Sequence, residues 1–327
     1  MFLLFINYPS WIHPEIFPGI PVLGLLRWYG LMYIFAFGTA FLVLKKITKE
    51  GMLDSPGYKA TEDDIFSFIA TGILFLLIGA RVFSALVYDT SGLYRSKPWL
   101  IFWPFDSSGH FTGLAGMSYH GGFIGGLLGM IFWCARHKKP MLKWIDAMVT
   151  AIPLGYTFGR IGNFMNGELY GRITTVPWGM VFPYAEKFSL SLSWVRAFAE
   201  KAGMDFSSSA TLINLPRHPS QLYEAFFEGL FLWLVIFLLR KKKWDGMLGA
   251  MYMGGYGIVR FFIEYFREPD ADIGYRIAKD SGAPIYTNTS LLNFSTGQVL
   301  CFIMIIAALA MFFITYFLSH RTKDKNA

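Results

Sequence analysis

The stretch Gly159–Arg172, GRIGNFMNGELYGR, holds the densest set of residues that could do chemistry. Arg160 and Asn163 are three residues apart, so a helix that continues through them places a planar cation and an amide on one face. The glycines that follow allow the backbone to turn, which would bring Asn166 and Glu168 to the same place. This set suits an anionic oxygen ligand. The alternative is a helix end whose arginine extends to a membrane interface.

A second set of polar residues follows a four-residue period. Tyr256, Arg260 and Glu264 would lie along one stripe of a helix. The guanidinium there could bind a phosphate through two parallel hydrogen bonds, and Glu264 could neutralise it when the site is empty. The alternative is an internal ion pair that only allows the helix to enter a membrane. Arg267 is expected to be an interfacial anchor.

Three further groups are candidates for a functional role. His120 could act as a general base or as a hydrogen-bond donor, because histidine can do either near neutral pH; a lone histidine near a helix end is otherwise ordinary. Glu224 follows Pro219 by about one helical turn, and a helix start does not explain a carboxylate there. Asp146 is expected at an interface or a helix start. The glycines after His120 are expected to pack against another helix.

The composition indicates which elements must position these groups. Of the 327 residues, 54% are hydrophobic and only 16% are charged, whereas soluble domains carry about 25% charged residues. We therefore expect an all-α polytopic membrane protein with seven transmembrane helices. Ionisable groups inside such helices usually face the bundle interior and serve a site or a pathway. The predicted spans are residues 22–44, 65–88, 119–135, 142–164, 219–239, 246–266 and 291–318.

The distribution of positive charge predicts the orientation of these spans. Fifteen Lys and Arg residues lie in the loops after spans one, three and five and in the C-terminal tail, against ten in the longer loops of the other side. The positive-inside rule then places the N-terminus outside and the C-terminus in the cytoplasm. Topology accounts for the net charge of +7, so nucleic acid is not expected as a partner. Residues 165–218 are expected to form an extracytoplasmic head inserted in a single membrane domain of residues 1–327.

Several common catalytic patterns are absent from the sequence. It contains no His-Glu-x-x-His, no Gly-x-Ser-x-Gly and no phosphate loop, and Cys134 and Cys301 lie in separate apolar stretches. We expect no metal and no cofactor. From the residues alone, an enzyme and a transporter or flippase of an anionic lipid or solute are both open, because either would place arginines inside a bundle. A transporter predicts an internal repeat, and the sequence shows none.

Five motifs of the chain resemble one family, the bacterial prolipoprotein diacylglyceryl transferases. The GRxGNFxNGE run is the most specific of them, and the motifs follow the order of that family from the first span to the sixth. They are RWYGLMY (Arg27–Tyr33), GMSYHGG (Gly116–Gly122), GRIGNFMNGELYGR (Gly159–Arg172), RHPSQLYE (Arg217–Glu224) and YGIVRFFIEYFREPD (Tyr256–Asp270).

The resemblance implies an activity, its partners and a location. The diacylglyceryl group of phosphatidylglycerol would pass to the lipobox cysteine of a prolipoprotein signal peptide, with a thioether formed and glycerol phosphate released. The protein would act as a multi-pass protein among the lipids of the bacterial cytoplasmic (inner) membrane. The resemblance also assigns functional residues. Those expected to be catalytic are His120, Arg160, Arg260 and Glu264. Those expected to bind substrate are Tyr29, Asn163, Glu168, Gly171, Glu224 and Tyr256, with Asp146 in support; Asn166 is added from its place in the Gly159–Arg172 motif.

Within that activity, Arg160 and Arg260 are suited to hold the phosphate in a low-dielectric site. We expect Asn163 and Glu168 to hold the glycerol end. The acceptor of the thiol proton stays open: His120 is the first candidate, and Glu264 and Tyr256 compete with it. A dedicated base is not required, because a thiol ionises with modest help.

Overall fold

The computed structural model describes residues 5–20, 24, 26–105, 108–110, 116–241, 243–269, 274–279 and 282–324. Parts of two predicted features, residues 22, 23 and 25 of the first span and Asp270 of the last motif, lie outside them. The helices are α1 (Trp28–Lys49), α2 (Glu62–Phe83), α3 (Leu93–Ser96), α4 (Tyr119–Arg136), α5 (Met141–Val149), α6 (Ile152–Met165), α7 (Ser193–Lys201), α8 (Ser220–Glu224), α9 (Leu232–Leu238), α10 (Met247–Ile263) and α11 (Thr296–Asp324). A 3-10 turn covers Pro98–Phe102, and π-helical turns cover Ser84–Tyr88 and Ala225–Phe231.

Strands are few and short. They are β1 (Ile6–Asn7), β2 (Met180–Val181), β3 (Phe188–Ser189), β4 (Leu212–Ile213), β5 (Tyr275–Ile277) and β6 (Phe294–Ser295). β1 pairs with β2 in parallel, whereas β3 with β4 and β5 with β6 form antiparallel pairs.

Four helices of the described residues are long and apolar enough to cross a bilayer. They cover Trp28–Lys49, Glu62–Tyr88, Ser220–Leu238 and Thr296–Arg321. Met247–Ile263 is a shorter apolar helix. The chain is thus mostly helical with four strongly apolar candidate spans, as expected for a polytopic membrane protein.

The chain divides into two compact units, and the smaller one covers Phe41–Met148. Its centre is the close packing of α2 on α4. A Cβ added at Gly121 would lie 2.4 Å from the carbonyl oxygen of Gly79, so the two helix backbones are in contact. The predicted packing role of the glycines after His120 is therefore confirmed. Asp146 lies inside α5 and is fully buried, so the expectation of a helix start was wrong, whereas its place at a membrane interface stays a prediction.

The larger unit covers Met1–Ala40 and Val149–Ala327. The N-terminal part of α1 packs on α6 through contacts such as the one between Phe35 and Phe158, whose ring centroids are 5.8 Å apart.

The predicted span 142–164 is two helices, α5 and α6, because the chain breaks at Thr150 and Ala151 before Pro153 occupies the first turn of α6. The predicted span 219–239 is a continuous helix in which α8, a π-helical turn and α9 follow each other.

A small folded region follows α6 in the same unit. Its core is apolar and forms around α7 and the β3–β4 pair. The buried members are Ile173, Phe188, Leu190, Val195, Ala199, Ile213 and Leu215. Backbone hydrogen bonds from Arg172 to Phe266 and from Ile173 to Tyr286 connect the start of this region to the segments that follow α10. The stretch predicted as a head therefore packs together with segments from elsewhere in the unit.

Candidate active site

Glu224 is the centre of a buried network of charged side chains. It lies at the end of α8, fully buried, and one of its oxygens, Oε2, lies 3.0 Å from Arg160 Nε and 2.9 Å from Arg260 Nη1. The arginines come from α6 and α10, which are about a hundred residues apart in sequence. Two guanidinium groups from different helices therefore converge on a single carboxylate oxygen.

Arg260 is held by three carboxylates at once. Besides Glu224, its Nη1 lies 3.4 Å from Glu228 Oε1, and its Nη2 donates to Glu264 Oε2 at 2.9 Å. Glu264 is one turn after Arg260, so the four-residue stripe predicted from the sequence does bring these side chains together. Both terminal nitrogens of Arg260 are committed to carboxylates.

Arg160 is less completely committed than Arg260. Its Nη1 donates to Asn163 Oδ1 at 3.3 Å, and its guanidinium lies over the ring of Tyr156 with 4.8 Å from Cζ to the ring centroid. Its Nη2 donates to no residue that the structure describes, and 16% of the side chain is exposed. This edge of Arg160 is therefore available to an incoming anion.

The turn after α6 carries the polar side chains that the spacing predicts to lie close together. Asn163 Nδ2 and Asn166 Nδ2 both donate to Glu168 Oε1, at 3.0 and 3.1 Å. The backbone of this turn is tied to the start of α8, because Gln221 Nε2 donates to the carbonyl oxygen of Glu168 at 2.6 Å. The predicted proximity of Arg160, Asn163, Asn166 and Glu168 is confirmed.

Arg267 belongs to the network, so the prediction of an interfacial anchor was wrong. Its Nε lies 4.0 Å from Glu224 Oε1, and its Nη1 lies 4.0 Å from Glu264 Oε2. Neither Arg267 Nε nor Glu224 Oε1 has a hydrogen-bond partner within the described part of the chain, although both atoms are buried. The site thus contains three arginines and three glutamates, so their formal charges balance.

The other residues of this unit that were predicted to bind substrate make packing contacts around the network. Tyr256 packs edge-on against Tyr156, with 6.0 Å between ring centroids. Tyr29, on α1, accepts a hydrogen bond from Tyr33 and packs against α6 at Gly162. Close packing requires a glycine at position 171, because a Cβ there would lie 2.3 Å from the carbonyl oxygen of Phe266. Its role in binding substrate stays a prediction.

His120 lies in the smaller unit. It follows Ser118, which caps α4, and its exposed ring is within hydrogen-bond distance of a tyrosine at the end of the π-helical turn, 3.1 Å from Nδ1 to Tyr88 Oη. Which of the two groups donates depends on the tautomer of the imidazole. The predicted role of His120 as a base therefore stays a prediction.

Two residues of the network were missed by sequence reasoning. Glu228 is fully buried and binds Arg260, and Tyr156 donates to Glu228 Oε2 and, at 3.3 Å, to Glu224 Oε2. Glu228 follows Glu224 by four residues inside an apolar span, and that spacing was the available signal. Tyr156 stands four residues before Arg160, at the same spacing.

Beside the network, a junction of buried polar groups connects α8 to the folded region after α6. Arg217 is fully buried, lies between the rings of Tyr170 and Phe188, and forms an ion pair with Glu268. Burial raises the pKa of Glu268 despite that arginine. Burial, with the positive charge of Arg172, lowers the pKa of His218 to about 4. His218 is therefore neutral at physiological pH.

The fold and the network define a polytopic helical membrane protein with a charge-balanced arginine–glutamate site. Residues 20–314 match the family described as prolipoprotein diacylglyceryl transferase. Three relatives named phosphatidylglycerol–prolipoprotein diacylglyceryl transferase are similar to the chain. The protein of Treponema denticola is 55% identical over 99% of this chain and 98% of its own length. That of Treponema pallidum is 50% identical over 95% of each, and that of Chlorobaculum tepidum 41% identical over 93% and 90%.

The chain belongs to the prolipoprotein diacylglyceryl transferase family. The resemblance in the five motifs is thereby confirmed, and the protein is a transferase. Membership also decides between the two functions that the residues alone left open, in favour of the enzyme.

Proposed function

We propose that the protein transfers the diacylglyceryl group of phosphatidylglycerol to the thiol of a lipobox cysteine in a prolipoprotein signal peptide. The cysteine sulfur attacks the glyceryl carbon that carries the phosphodiester oxygen. A carbon–sulfur bond forms as the carbon–oxygen bond breaks, and the electron pair leaves with the oxygen to give glycerol phosphate. The thiol proton passes to a base or to water.

The observation that carries this proposal is the convergence of Arg160 and Arg260 on Glu224 Oε2, at 3.0 and 2.9 Å. A leaving phosphate gains negative charge in the transition state, and fixed guanidinium groups in a buried site stabilise such charge strongly. With no phosphate bound, the glutamates balance the arginines. A phosphodiester would first meet the free Nη2 edge of Arg160 and would then share Arg260 with the carboxylates.

Asn163 and Glu168 supply the groups for the glycerol end of the lipid. Glu168 is exposed and accepts hydrogen bonds from Asn163 and Asn166, so its second oxygen can accept one from a glycerol hydroxyl. Gly171 keeps this turn close to the segment after α10, while Tyr29 and Tyr256 pack beside α6 and Tyr156. These contacts place the three residues near the network, and their substrate-binding roles are part of the proposal.

The proton acceptor is proposed to be His120, with Glu264 and Tyr256 as the competing candidates. Glu264 already accepts a hydrogen bond from Arg260 at 2.9 Å, so one of its oxygens is occupied within the network. Replacing His120 with Gln should remove turnover while phosphatidylglycerol still binds. Retained turnover would reject His120 as the base.

We also propose seven spans in the bacterial cytoplasmic membrane, with the N-terminus outside, residues 165–218 in an extracytoplasmic head and the C-terminus in the cytoplasm. The charge asymmetry of fifteen against ten Lys and Arg residues supports it. Cysteine labelling in intact cells tests it, because native Cys134 and Cys301 are buried and should react slowly. Ser209→Cys should react with an impermeant reagent and Lys138→Cys should not; the reverse pattern would overturn the orientation.

The activity itself is tested by mass spectrometry of a lipobox peptide incubated with purified protein and phosphatidylglycerol vesicles. We expect a diacylglyceryl mass gain on the cysteine with wild-type protein and with Arg136→Ala, an exposed arginine at the end of α4. Arg260→Ala should abolish it. No gain with folded wild-type protein that binds the lipid would overturn the proposed function.

A further inference from the structure

The N-terminus of α11 lies directly against a carboxylate of the arginine–glutamate network. Ser295, the residue before this helix, donates its hydroxyl hydrogen bond to Glu264 Oε1 at 2.9 Å. Glu264 and Ser295 are both buried. The other oxygen of the same carboxylate, Oε2, accepts from Arg260 Nη2 at 2.9 Å. The two oxygens of Glu264 thus connect Ser295 to the central arginine.

The orientation of the Ser295 hydroxyl is set by a reciprocal helix cap. Ser295 Oγ accepts from the backbone N–H of Gln298 at 3.2 Å, and Gln298 Oε1 accepts from the backbone N–H of Ser295 at 3.1 Å. Gln298 Nε2 in turn donates to the carbonyl oxygen of Phe261 in α10 at 3.3 Å. Since the hydroxyl accepts from α11, its single proton is directed to Glu264.

Gly297 lies close to the same oxygen of Glu264. A Cβ at this position would lie 2.9 Å from Glu264 Oε1 and 3.1 Å from its carboxyl carbon. The first turn of α11 also carries a partial positive charge that favours an anion there. The segment Phe294–Gln298, FSTGQ, therefore leaves one narrow position for the Glu264 carboxylate.

We propose that Ser295 is a positioning residue for the transfer reaction: it fixes Glu264, and Glu264 sets the orientation of the Arg260 guanidinium that faces the leaving phosphate. The inference rests on the proposed function, in which Arg260 holds that phosphate. Without the hydroxyl, Glu264 Oε1 loses this hydrogen bond and the carboxylate is held less firmly. Arg260 then keeps Glu224 and Glu228 and is drawn towards them, away from the position that serves the transition state.

The expected kinetic effect follows from the bond that is lost. A hydrogen bond to a charged group contributes enough that Ser295→Ala should lower kcat roughly tenfold to a hundredfold. KM for the lipobox peptide should change less than about twofold, because the peptide does not contact Glu264 in this scheme. Ser295→Thr, which keeps the hydroxyl, should retain at least about a third of wild-type kcat.

Thr61→Ala is a matched control for the loss of a helix cap. Thr61 caps α2 with the same reciprocal pattern: Thr61 Oγ1 accepts from the N–H of Asp64 at 3.2 Å, and Asp64 Oδ2 accepts from the N–H of Thr61 at 2.9 Å. Among the described residues, Thr61 and Asp64 form no hydrogen bond with Arg160, Arg260 or Arg267. Both alanine variants should lower the melting temperature, Ser295→Ala by more because Ser295 is buried and Thr61 is exposed, and only Ser295→Ala should lower kcat.

Gly297→Ala keeps the inference testable if Ser295→Ala fails to fold. Alanine favours a helix more than glycine does, so the helix is retained while the new methyl group displaces the Glu264 carboxylate. We expect kcat to fall about tenfold while the protein still folds, which a cooperative melting transition checks. Wild-type kcat in this variant would overturn the positioning role.

Steady-state assays of the full chain in phosphatidylglycerol vesicles separate the remaining outcomes. Ser295→Ala with kcat within twofold of wild type, or equal losses in Ser295→Ala and Ser295→Thr, would overturn the inference while an active wild type leaves the proposed function standing. An inactive wild type would overturn the proposed function, and the inference with it.

Discussion

Arg260, with 11% of its side chain exposed, and Arg217, which is fully buried, belong to the same unit, yet their surroundings differ. Arg260 meets three carboxylates, those of Glu224, Glu228 and Glu264. Arg217 lies between two aromatic rings, donates to the backbone carbonyl of Gly171 at 3.4 Å and pairs with one carboxylate, Glu268. The backbone of Arg217 is itself paired with Met180.

The bonds of Arg260 can be replaced by those of a ligand, whereas the bonds of Arg217 are part of the fold. Carboxylate side chains can rotate, and a phosphate can take their place on a guanidinium with the same planar geometry. Backbone carbonyls and packed rings cannot move without moving the fold. Arg260 is thus suited to exchange partners during a reaction, whereas Arg217 holds α8 to the folded region after α6.

The largest effect is expected when each arginine is replaced by lysine, which keeps the positive charge but removes the planar guanidinium with its paired donors. Arg260→Lys loses the paired donors, so kcat should fall about 10²- to 10³-fold, as expected when a transition-state donor is lost. Arg217→Lys should change kcat less than about threefold per folded molecule. Rates of lipid attachment to a lipobox peptide measure both. A loss below tenfold in Arg260→Lys would contradict the phosphate role.

The next largest effect concerns stability at the junction. Arg217→Met removes one member of a buried pair and should lower the free energy of unfolding by about 3 kcal/mol. The double variant Arg217→Met/Glu268→Gln should recover part of this loss, because the unpaired carboxylate is gone. Thermal melting in detergent is the measurement. Equal stability of the single and double variants would show that the pair does not hold the junction.

A smaller effect is expected from pH at the same junction. The pKa of His218 is lowered to about 4, below the value of about 6.5 for a histidine in an unfolded chain. The fold favours the neutral ring, so its contribution is complete above pH 6.5 or so and is lost as the pH falls towards 4. The melting temperature should therefore decline over this range, and less so in His218→Gln. Parallel profiles would contradict the assignment.

The smallest effect is expected at the exposed edge of the site. Glu168→Gln exchanges a charged acceptor for a neutral one, and its two donors are the amides of Asn163 and Asn166. We expect KM for phosphatidylglycerol to rise about twofold to fivefold with little change in kcat, since exposed hydrogen bonds contribute modestly. A loss as large as that of Arg260→Lys would place Glu168 in the chemistry rather than in binding.

The sequence predicted which site residues of one helix lie close together. It predicted that residues of different helices share a site only through the family resemblance. Arg160 with Asn163, and Arg260 with Glu264, follow from helical spacing, which depends on local backbone geometry alone. Glu228 was overlooked because two carboxylates four residues apart in an apolar span do not show which distant arginine they meet. Arg267 was assigned to the interface because its distance from the helix end said nothing about which way its side chain turns.

By itself the sequence determined the class of protein, the approximate helices and the family, because apolar length, charge interruption and motif order are properties of the chain. Only the tertiary structure decided that Glu224 is shared by two arginines from different helices, that α5 and α6 are separate, and that Ser295 reaches Glu264. The three side-chain contacts join residues 31 to 64 positions apart. They exist because packed helices bring distant side chains together, which no local pattern encodes.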